Sequence, residues 1–372
     1  MPAALKVVLA GGGTTGHIAP MIATAQALAR EVTDIQLSCI GTARGLETSV
    51  VPAAGLELDL VEPVPMPRTP NLDLVKLPAR LVKTVTTAAG VLRRRQADVV
   101  VGFGGYVSLP AYLAAKRLGI PVVVHEQNAV PGLANKVAAR FAPVVATSFP
   151  ETPLRGAQFV GLPVREQISR LATQHIPTTV EARASLGLAT ERTTLLVSGG
   201  SQGARSINEA TVAARDRLLA AGVQVLHVWG RKNFTDDLVD ITDPATGATY
   251  RPVAYVDQME QAYAAADVML GRSGAGTVVE TAIVGLPGLF VPLPHGNGEQ
   301  SRNATALVAA GAARLIPDAE LDAGRLLAEV TSVTSDPGRL SEMANAAQSL
   351  MPADAAEVLA RLVIEAATRR RN

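Results

Sequence analysis

Short apolar runs alternate with longer amphipathic stretches along the whole chain. The first half contains LKVVLA, IQLSCIG, ADVVVGF, IPVVVHE and APVVATS, and the second half contains TTLLVSGG, VQVLHVWG, ATYRPVAYV, ADVMLGRSG and LPGLFVPL. These runs are rich in β-branched residues and too continuous for a sheet with one solvated face, which is typical of parallel strands buried between helices. The pattern therefore predicts an α/β fold with two doubly wound domains.

The same sequence of strand, glycine turn and helix opens both halves. Gly11 and Gly199 each follow a buried strand and precede a helix. Glycine, proline and charged residues then interrupt the apolar rhythm between residues 161 and 170. We predict an N-terminal domain over 1–163 and a C-terminal domain over 164–352, with a last helix at about 353–372 packing back on the first domain. The functional site is expected in a cleft between the domains.

Composition narrows the class of protein. The 372 residues are 48% hydrophobic and 18% charged, which favours folded cores of ordinary size. The net charge of +1 gives no general attraction to nucleic acid. The single cysteine, Cys39, cannot form an internal disulfide, which fits a reducing cytoplasm. No apolar run approaches the roughly 20 residues of a membrane span, so any membrane contact is expected to be peripheral.

The first glycine loop, GGGTTGH at 11–17, leads from a strand into a helix. Its backbone N–H groups and the helix N-terminus are suited to an anion such as phosphate, although strand-to-helix geometry alone could require the glycines. The loop also satisfies the dinucleotide-binding pattern GxGxxG, but the strand IQLSCIG ends in Gly41 without the expected acid. His17, at the start of the helix, is disfavoured in its protonated form and is a candidate general base or a packed residue.

Two further polar segments follow strands of the first half. GFGGY at 102–106 is a second glycine cluster, and HEQN at 125–128 follows the apolar strand VVV. Strand carboxyl ends are where open α/β sheets bind ligands. We therefore expect both segments at the same sheet edge as the first loop, where two glycine loops could share one diphosphate.

The second half repeats this arrangement. GGSQGA at 199–204, RSGAGTVVE at 272–280 and HGNGEQSRNA at 295–304 all follow strands. Glu280 is placed where a carboxylate could accept from both hydroxyls of a ribose, against the alternative of a solvated helix residue. The chain has no DxD and no HExxH motif, so no metal site and no cofactor are predicted. Helix N-termini and Arg165 would stabilise a leaving anion instead.

A basic amphipathic segment spans residues 68–95. Its seven basic and one acidic side chains are interspersed with leucines and valines. It is either an ordinary helix with a solvated basic face or an apolar patch rimmed by cations, suited to an anionic membrane surface. The side chains predicted for membrane contact are Leu72, Val75, Leu77, Arg80, Leu81 and Lys83.

The six motifs GGGTTGH, GFGGY, HEQN, GGSQGA, RSGAGTVVE and GNGEQ, in this order and spacing, resemble the MurG family of peptidoglycan glycosyltransferases. The resemblance covers nearly the whole chain. It implies a GT-B fold of two Rossmann-like domains facing across a cleft. It also implies an inverting transfer of N-acetylglucosamine (GlcNAc) from UDP-GlcNAc to the 4-hydroxyl of the N-acetylmuramyl (MurNAc) group of undecaprenyl-diphosphate-MurNAc-pentapeptide.

The resemblance assigns roles to particular residues. His17 is implied as the catalytic base, with Glu126 second. For the donor UDP-GlcNAc, Val256 is implied at the uracil and Glu280 at the ribose. The diphosphate is assigned to Arg165, Ser201, Ala275, Gly276, Thr277, Val278 and Val279. The GlcNAc is assigned to Thr14, Thr15, Gly16, Asn128 and Gln300. The acceptor diphosphate is assigned to Gly11, Gly12, Gly13, Gly102, Gly104, Gly105 and Tyr106. Thr15 and Glu299 differ from the residues common in the family, glycine and glutamine.

The resemblance places the protein peripherally on the cytoplasmic face of the plasma membrane, with wall-synthesis and division proteins as further partners. Other functions fit some of the same features. UDP-GlcNAc 2-epimerases share the fold and the donor but need no lipid acceptor. A nicotinamide oxidoreductase, a nucleotide-sugar sensor and a transferase with another lipid acceptor are the remaining alternatives.

Overall fold

The computed structural model of the chain describes residues 4–43, 45–64 and 72–371. The chain forms two compact units. Unit 1 comprises Met1–Arg165 and Asp354–Asn372, and unit 2 comprises Glu166–Ala353. The chain therefore leaves unit 1 once and returns to it for its last helix.

Unit 1 contains a seven-stranded sheet with the order β3-β2-β1-β4-β5-β6-β7, and every neighbouring pair is parallel. The strands are β1 Leu5–Ala10, β2 Ile35–Gly41, β3 Glu57–Leu60, β4 Val99–Gly102, β5 Val122–Glu126, β6 Val144–Thr147 and β7 Ala157–Phe159. The order reverses direction between β1 and β4, which is the kind of position where open α/β sheets bind ligands.

Helices cover both faces of this sheet. They are α1 Thr15–Glu31, α2 Glu47–Ala53, α3 Leu72–Arg94, α4 Gly105–Arg117, α5 Leu133–Ala138 and, from the end of the chain, α15 Ala355–Arg371. Helices α1 and α15 pack together over one core, in which Leu28 and Leu359 are fully buried. Helices α3 and α4 cover the other core, which includes Leu92 and Tyr112. The apolar run of the last helix thus completes the first unit.

Unit 2 contains a second seven-stranded sheet with the order β10-β11-β9-β8-β12-β13-β14. Its strands are β8 Thr194–Ser198, β9 Gln224–Val228, β10 Ile241–Thr242, β11 Thr249–Val253, β12 Val268–Gly271, β13 Gly288–Phe290 and β14 Ala313–Leu315. Only the edge pair β10–β11 is antiparallel among these described strands. The order reverses between β8 and β12, as it does between β1 and β4 in unit 1.

The helices of unit 2 follow the same alternation. They are α6 Glu166–Gln174, α7 Thr179–Ser185, α8 Arg205–Ala220, α9 Met259–Ala265, α10 Ala275–Ile283, α11 Glu299–Asn303, α12 Thr305–Ala309, α13 Ala323–Thr334 and α14 Pro337–Gln348, with a single 3-10 turn at Asp318–Glu320. Helices α8 and α13 bury Leu218 and Val330 against the sheet. The prediction of two doubly wound domains is confirmed.

The sequence pattern missed the short strands β3, β7, β10 and β14. All four lie at sheet edges, and the three residues of β7 are exposed. An edge strand buries little side-chain surface, so it lacks the continuous apolar run that marked the central strands. In the described part of the chain, no helix has the length and apolar character needed to cross a bilayer.

Candidate active site

Two glycine loops meet at the carboxyl edge of sheet 1. Strands β1 and β4 are paired so that Ala10 lies opposite Gly102, which brings the loops that follow them together. Gly105 has φ +80°, and a Cβ there would lie 2.7 Å from the carbonyl oxygen of Gly12. A side chain at this position would therefore force the loops apart. The structure brings Gly11–Gly13 and Gly102–Gly105 together, as the sequence analysis predicted for a shared anion site.

Ser108 ties the two loops to each other. Its buried hydroxyl lies 2.8 Å from the carbonyl oxygen of Ala10 and 2.6 Å from that of Gly104, and it can donate to either. The amide of Phe103 also donates to Ala10 O at 2.8 Å. The loops are thus held by hydrogen bonds as well as by glycine packing. Tyr106, next in the chain, is exposed.

His17 lies in the first turn of α1, partly enclosed by these loops. Its Nδ1 is 3.0 Å from Thr14 Oγ1. Burial of the ring lowers the pKa of His17, and this effect outweighs the effects of the Gly12 carbonyl and of the nearby charge of Glu47, which raise the pKa. The imidazole is therefore neutral at neutral pH, and a neutral imidazole has one nitrogen lone pair available to take a proton.

Glu47 was not predicted as a site residue, yet its carboxylate lies under the first loop. It is fully buried, and its Oε2 is 3.4 Å from the amide nitrogen of Gly13. That amide therefore points at a carboxylate of the protein. We expected Gly13 to face the acceptor diphosphate, and this contact leaves its N–H directed inward instead. Glu47 lies beyond the end of β2 and belongs to none of the six motifs, so no local pattern identified it.

Glu126 ends β5 and is almost completely buried. Its Oε1 accepts from the amide of Asn128 at 3.0 Å, and its Oε2 accepts from the amide of Gly132 at 3.0 Å and from Asn135 Nδ2 at 2.9 Å. Asn135 in turn accepts from the Tyr112 hydroxyl at 2.7 Å. Both oxygens of this carboxylate are therefore occupied by donors of unit 1, and they hold the loop after β5 in place.

His125 beside it is part of the framework. Its Nε2 donates to the carbonyl of Gly161 at 2.9 Å, and its Nδ1 lies 3.1 Å from Gln127 Nε2. The ring is fully buried, and burial lowers its pKa to about 4. This neutral histidine holds the end of β5 against the segment that leads out of unit 1. Asn128, also predicted, is half-buried on the same segment.

The carboxyl edge of sheet 2 presents a comparable arrangement. Ser198 of β8 lies opposite Gly271 of β12, so the loops after these strands are neighbours. A Cβ at Gly199 would come within 2.2 Å of the backbone nitrogen of Ala204, so the turn closes only with glycine there. Ser201 is exposed at its tip. The hydroxyl of this serine is therefore accessible to a ligand.

Helix α10 begins at Ala275 directly after the second of these loops. Its N-cap residue, Gly274, offers no side chain to satisfy the first backbone N–H groups. These orphan N–H groups and the helix dipole favour an anion at this end. The predicted diphosphate residues Ala275 to Val279 form the first turns of this helix, and Ala275, Val278 and Val279 bury their side chains in unit 2. The backbone amides of Ala275, Gly276 and Thr277 are the groups suited to a ligand, because the Val278 amide already donates to the Gly274 carbonyl at 3.0 Å.

Glu280 lies further along α10 and is half-buried. The hydroxyl of Tyr263, which is 5% exposed on α9, donates to Glu280 Oε2 at 2.9 Å. Tyr263 was not predicted, because an isolated tyrosine in an alanine-rich helix carries no motif. The contact fixes one oxygen of the carboxylate predicted to bind a ribose.

The remaining predicted donor residues occupy the loops of unit 2. Gln300 on α11 accepts from the amide of Leu293 at 2.9 Å, which shapes the loop containing Gly296 and Gly298. Val256 is half-buried in the segment between β11 and α9. Gln300 thus has a structural contact besides its predicted role at the sugar.

Arg272 in the RSGAG motif was also missed. It is mostly buried, and it donates to the carbonyls of Val291 and Pro292 at 3.1 Å each and pairs with Asp318. Because it ties the end of β13 to the loop before α10, it orders the edge on which the predicted donor residues lie. Its motif was visible in the sequence, but the residues singled out there were Ala275 to Glu280.

Thr14, Thr15 and Gly16, predicted for the sugar, are exposed at the N-terminus of α1 in unit 1. Arg165 is the last residue of unit 1, half-buried immediately before α6. The predicted donor residues are therefore divided between the two units.

The predicted membrane segment corresponds to α3. Leu77 and Leu81 are half-buried, Arg80 and Lys83 are exposed, and the side chains of Leu72 and Val75 lie outside the described residues. Val82 is 66% exposed. Some cations of this segment form ion pairs with acidic side chains, so its positive charge is smaller in effect than its net charge suggested. Lys83 pairs with Glu62, and Arg94 and Arg95 pair with Asp59 of β3, a strand that the sequence analysis did not find.

No group of three or more histidine, cysteine, aspartate or glutamate side chains within residues 4–43, 45–64 and 72–371 is placed to hold a metal ion. A cavity of about 750 Å³ in unit 1 lies at the opposite edge of sheet 1, beside the starts of β5 and β6. Parallel sheets bind ligands at their carboxyl ends, so we assign the site to the glycine loops.

Two family profiles match the chain. The glycosyltransferase family 28 N-terminal domain matches residues 7–147, and the family 28 C-terminal domain matches residues 194–359. A Cutibacterium acnes protein named UDP-N-acetylglucosamine–N-acetylmuramyl-(pentapeptide) pyrophosphoryl-undecaprenol N-acetylglucosamine transferase is 62% identical over 368 residues, 98% of each chain. A Nocardioides protein with the same name is 52% identical, over 97% of this chain and 98% of the relative.

The crystal structure of Acinetobacter baumannii MurG superposes with a TM-score of 0.76 at 27% identity, covering 96% of this chain and 99% of that one. The chain belongs to the MurG family. As a MurG-family protein it is a glycosyltransferase, and its two Rossmann-like units have the GT-B fold. A UDP-GlcNAc 2-epimerase from Neisseria meningitidis is also similar, with a TM-score of 0.64 but only 13% identity over 98% of this chain and 100% of that one. That likeness concerns the fold alone.

Proposed function

We propose that the protein transfers GlcNAc from UDP-GlcNAc to the 4-hydroxyl of the MurNAc group of undecaprenyl-diphosphate-MurNAc-pentapeptide, a step of peptidoglycan synthesis. The observation that carries the proposal is the 62% identity, over 98% of both chains, to a relative whose name states this donor and this acceptor. The sites described above on each sheet support it.

Unit 2 is proposed to bind the donor. The amides at the start of α10, with Ser201 and Arg165, hold the diphosphate, and Glu280 accepts hydrogen bonds from the ribose hydroxyls. Val256 contacts the uracil through its backbone. Thr14 to Gly16, Asn128 and Gln300 contact the GlcNAc. The support for these roles is the match of the motifs and the anion-binding character of a helix N-terminus without a side-chain cap.

Unit 1 is proposed to bind the acceptor at its two joined glycine loops. Gly11, Gly12, Gly102, Gly104, Gly105 and Tyr106 surround its diphosphate. Gly13 remains part of the proposed set, although its amide faces Glu47. The exposed N-terminus of α1 adds a favourable dipole, which contributes roughly 0.3–1 kcal/mol at an exposed site.

The proposed chemistry is a single displacement. The 4-hydroxyl oxygen attacks the anomeric carbon as the bond to the UDP oxygen breaks, and the bonding electrons leave with UDP. His17 takes the hydroxyl proton, and one displacement inverts the anomeric configuration. The leaving diphosphate is stabilised by α10 and Arg165, so we propose that neither a metal ion nor a cofactor takes part.

We also propose that the protein works peripherally on the cytoplasmic face of the plasma membrane, with α3 contacting the anionic leaflet, and that it meets wall-synthesis and division proteins there. The exposed Val82 and the half-buried Leu77 and Leu81 would enter the interface. The exposed side chains of Arg80 and Lys83 would contact lipid headgroups.

The test is transfer of radiolabelled GlcNAc to the lipid-linked MurNAc-pentapeptide acceptor with EDTA present, while UDP release is followed in parallel. We expect label in the lipid fraction and one UDP released for each sugar transferred. UDP release or epimerised sugar nucleotide without labelled lipid would refute the transferase proposal. Transfer that stops with EDTA and returns with a divalent cation would refute metal independence alone.

A further inference from the structure

Glu47 is a buried carboxylate that the proposed mechanism does not use. It is the first residue of α2 and has no exposed surface. Its Oε1 accepts from both the amide and the hydroxyl of Thr42, at 2.9 and 2.7 Å, while its Oε2 faces the amide of Gly13 at 3.4 Å. One side chain therefore links the loop after β2 to the loop that precedes His17.

Three separate glycines leave room for this side chain. A Cβ at Gly12 would lie 2.7 Å from Glu47 Oε1, one at Gly41 would lie 2.7 Å from its Cγ, and one at Gly45 would lie 1.8 Å from its Oε2. None of these distances is compatible with an ordinary side chain. The glycines of both loops thus form a close-fitting enclosure around one carboxylate.

The carboxylate is charged in this enclosure. Burial alone raises the pKa of Glu47, but the hydrogen bonds from Thr42, from its own backbone and from Gly13 lower it further, and the net pKa lies below its ordinary value. A buried charge costs several kcal/mol unless donors surround it. Such a charge is uncommon as a simple packing element, since an apolar residue would fill the space without that cost.

The nearest group that responds to this charge is His17. The Gly12 carbonyl, which raises the pKa of the imidazole, belongs to the turn that packs on Glu47, and the negative charge of Glu47 also opposes the lowering of the His17 pKa. When a base takes a proton in a partly buried site, the resulting cation needs a nearby negative charge. In the Ser-His-Asp triad an aspartate orients the histidine and stabilises its charged form in this way.

Other ionisable groups also lie on α1, on the elements packed against it and beside the second loop. Cys39 on β2 is neutral, because burial raises the pKa of its thiol to about 12. Arg30 and Glu357, on α1 and α15, pair with each other at 2.7 Å at the opposite end of the helix. Lys6 on β1 bonds to Gln96. Tyr106 is exposed beside the second loop.

We propose that Glu47 is a positioning residue for the transfer: its carboxylate fixes the Gly12–Gly13 turn that orients the His17 imidazole and stabilises the imidazolium formed when His17 takes the acceptor proton. The proposal rests on the proposed function and on His17 as its base. It assigns Gly41 and Gly45, which no ligand role explains, to the same arrangement.

The test compares Glu47→Gln with Glu47→Asp and with Ser49→Ala, an exposed residue of the same helix that serves as the matched control. A general base contributes about 10²–10⁴-fold, so loss of its support should lower kcat by on the order of 10–100-fold. The KM for UDP-GlcNAc should change much less than kcat, because Val256, Glu280 and the start of α10, which are proposed to bind the uracil, the ribose and the diphosphate, lie in unit 2. Ser49→Ala should match the wild type.

The pH profile separates positioning from simple packing. Without the negative charge, the pKa of His17 falls further, so the acid limb of kcat/KM for the acceptor should move to lower pH in Glu47→Gln. Glu47→Asp keeps the charge and should keep the limb. Wild-type kcat and an unmoved limb in Glu47→Gln would overturn the inference, and so would equal losses in both variants with no movement of the limb.

Two further results keep the outcomes distinct. If the wild type transfers no GlcNAc to the lipid acceptor, the proposed function fails, and the variants are not needed. If Glu47→Gln does not fold, as judged by its thermal unfolding, Thr42→Val is used instead, because it removes only the hydroxyl donor to Oε1. We expect Thr42→Val to lower kcat several-fold at unchanged KM for UDP-GlcNAc, and an unchanged kcat would overturn the inference.

Discussion

The contact between Tyr263 and Glu280 makes a sharp prediction about donor binding. The Tyr263 hydroxyl donates to Glu280 Oε2 at 2.9 Å, and the tyrosine ring is almost fully buried. If Glu280 binds the ribose, the hydroxyl holds its carboxylate in the binding orientation. Tyr263→Phe removes this hydrogen bond without changing the packing of the ring, so UDP affinity should fall while the fold is retained.

The magnitude follows from the kinds of hydrogen bond involved. Hydrogen bonds to a charged group contribute about 1.5–3 kcal/mol, so Glu280→Gln should weaken UDP binding roughly 10–100-fold. Tyr263 acts on binding only through the orientation of Glu280. Its loss should cost about 0.5–1.5 kcal/mol, or roughly two- to tenfold in Kd.

The assay is calorimetric titration of UDP into the wild type, each single variant and the double variant. In a double-mutant cycle the two residues should be coupled, so Tyr263→Phe should have little effect once Glu280 is replaced. Tyr255→Phe, an exposed tyrosine, is a matched control for the loss of a hydroxyl. An unchanged UDP Kd in Tyr263→Phe, or full additivity in the cycle, would refute the reasoning.

Three other predictions concern catalysis, stability and membrane contact. His17→Ala should lower kcat by about 10²–10⁴-fold in the lipid transfer assay while UDP-GlcNAc affinity is unchanged, and wild-type turnover would remove His17 as the base. Burial lowers the pKa of His125 to about 4 and of His227 to about 3, so the unfolded chain binds more protons below pH 6.5. The free energy of unfolding should therefore decrease from about pH 6.5 to pH 4 and below, and His227→Gln should reduce the decrease in urea titrations; a pH-independent midpoint would contradict it. Val82→Asp should reduce sedimentation with anionic vesicles without changing kcat/KM for UDP-GlcNAc, and unchanged sedimentation would exclude this face of α3 as the membrane contact.

The central strands were predictable because burial on both faces leaves a continuous apolar run. All of the runs quoted from the sequence, such as LKVVLA and TLLVS, correspond to strands of the two parallel sheets. The edges were not predictable, since β7 is only three exposed residues and β10 only two. Their position depends on pairing with a neighbour that is distant in sequence, which leaves no local signal.

The residues of the candidate site also divide into those that the sequence could predict and those that it could not. The motifs located the glycine loops and the N-terminus of α10, because backbone geometry there requires particular residues at short spacing. Glu47 and Tyr263 carry no such spacing. Each acts on a motif residue through a tertiary contact, Glu47 on the loop after β1 and Tyr263 on Glu280. Their roles become visible only when the packed side chains are known.

The most direct test of the account is the structure of the lipid-linked product, determined by NMR after transfer from UDP-GlcNAc in the presence of EDTA. The account predicts a β-linked GlcNAc on the 4-hydroxyl of MurNAc, because a single displacement at the α-linked donor inverts the anomeric carbon. An α linkage, attachment at another hydroxyl, or recovery of only unmodified acceptor would contradict it.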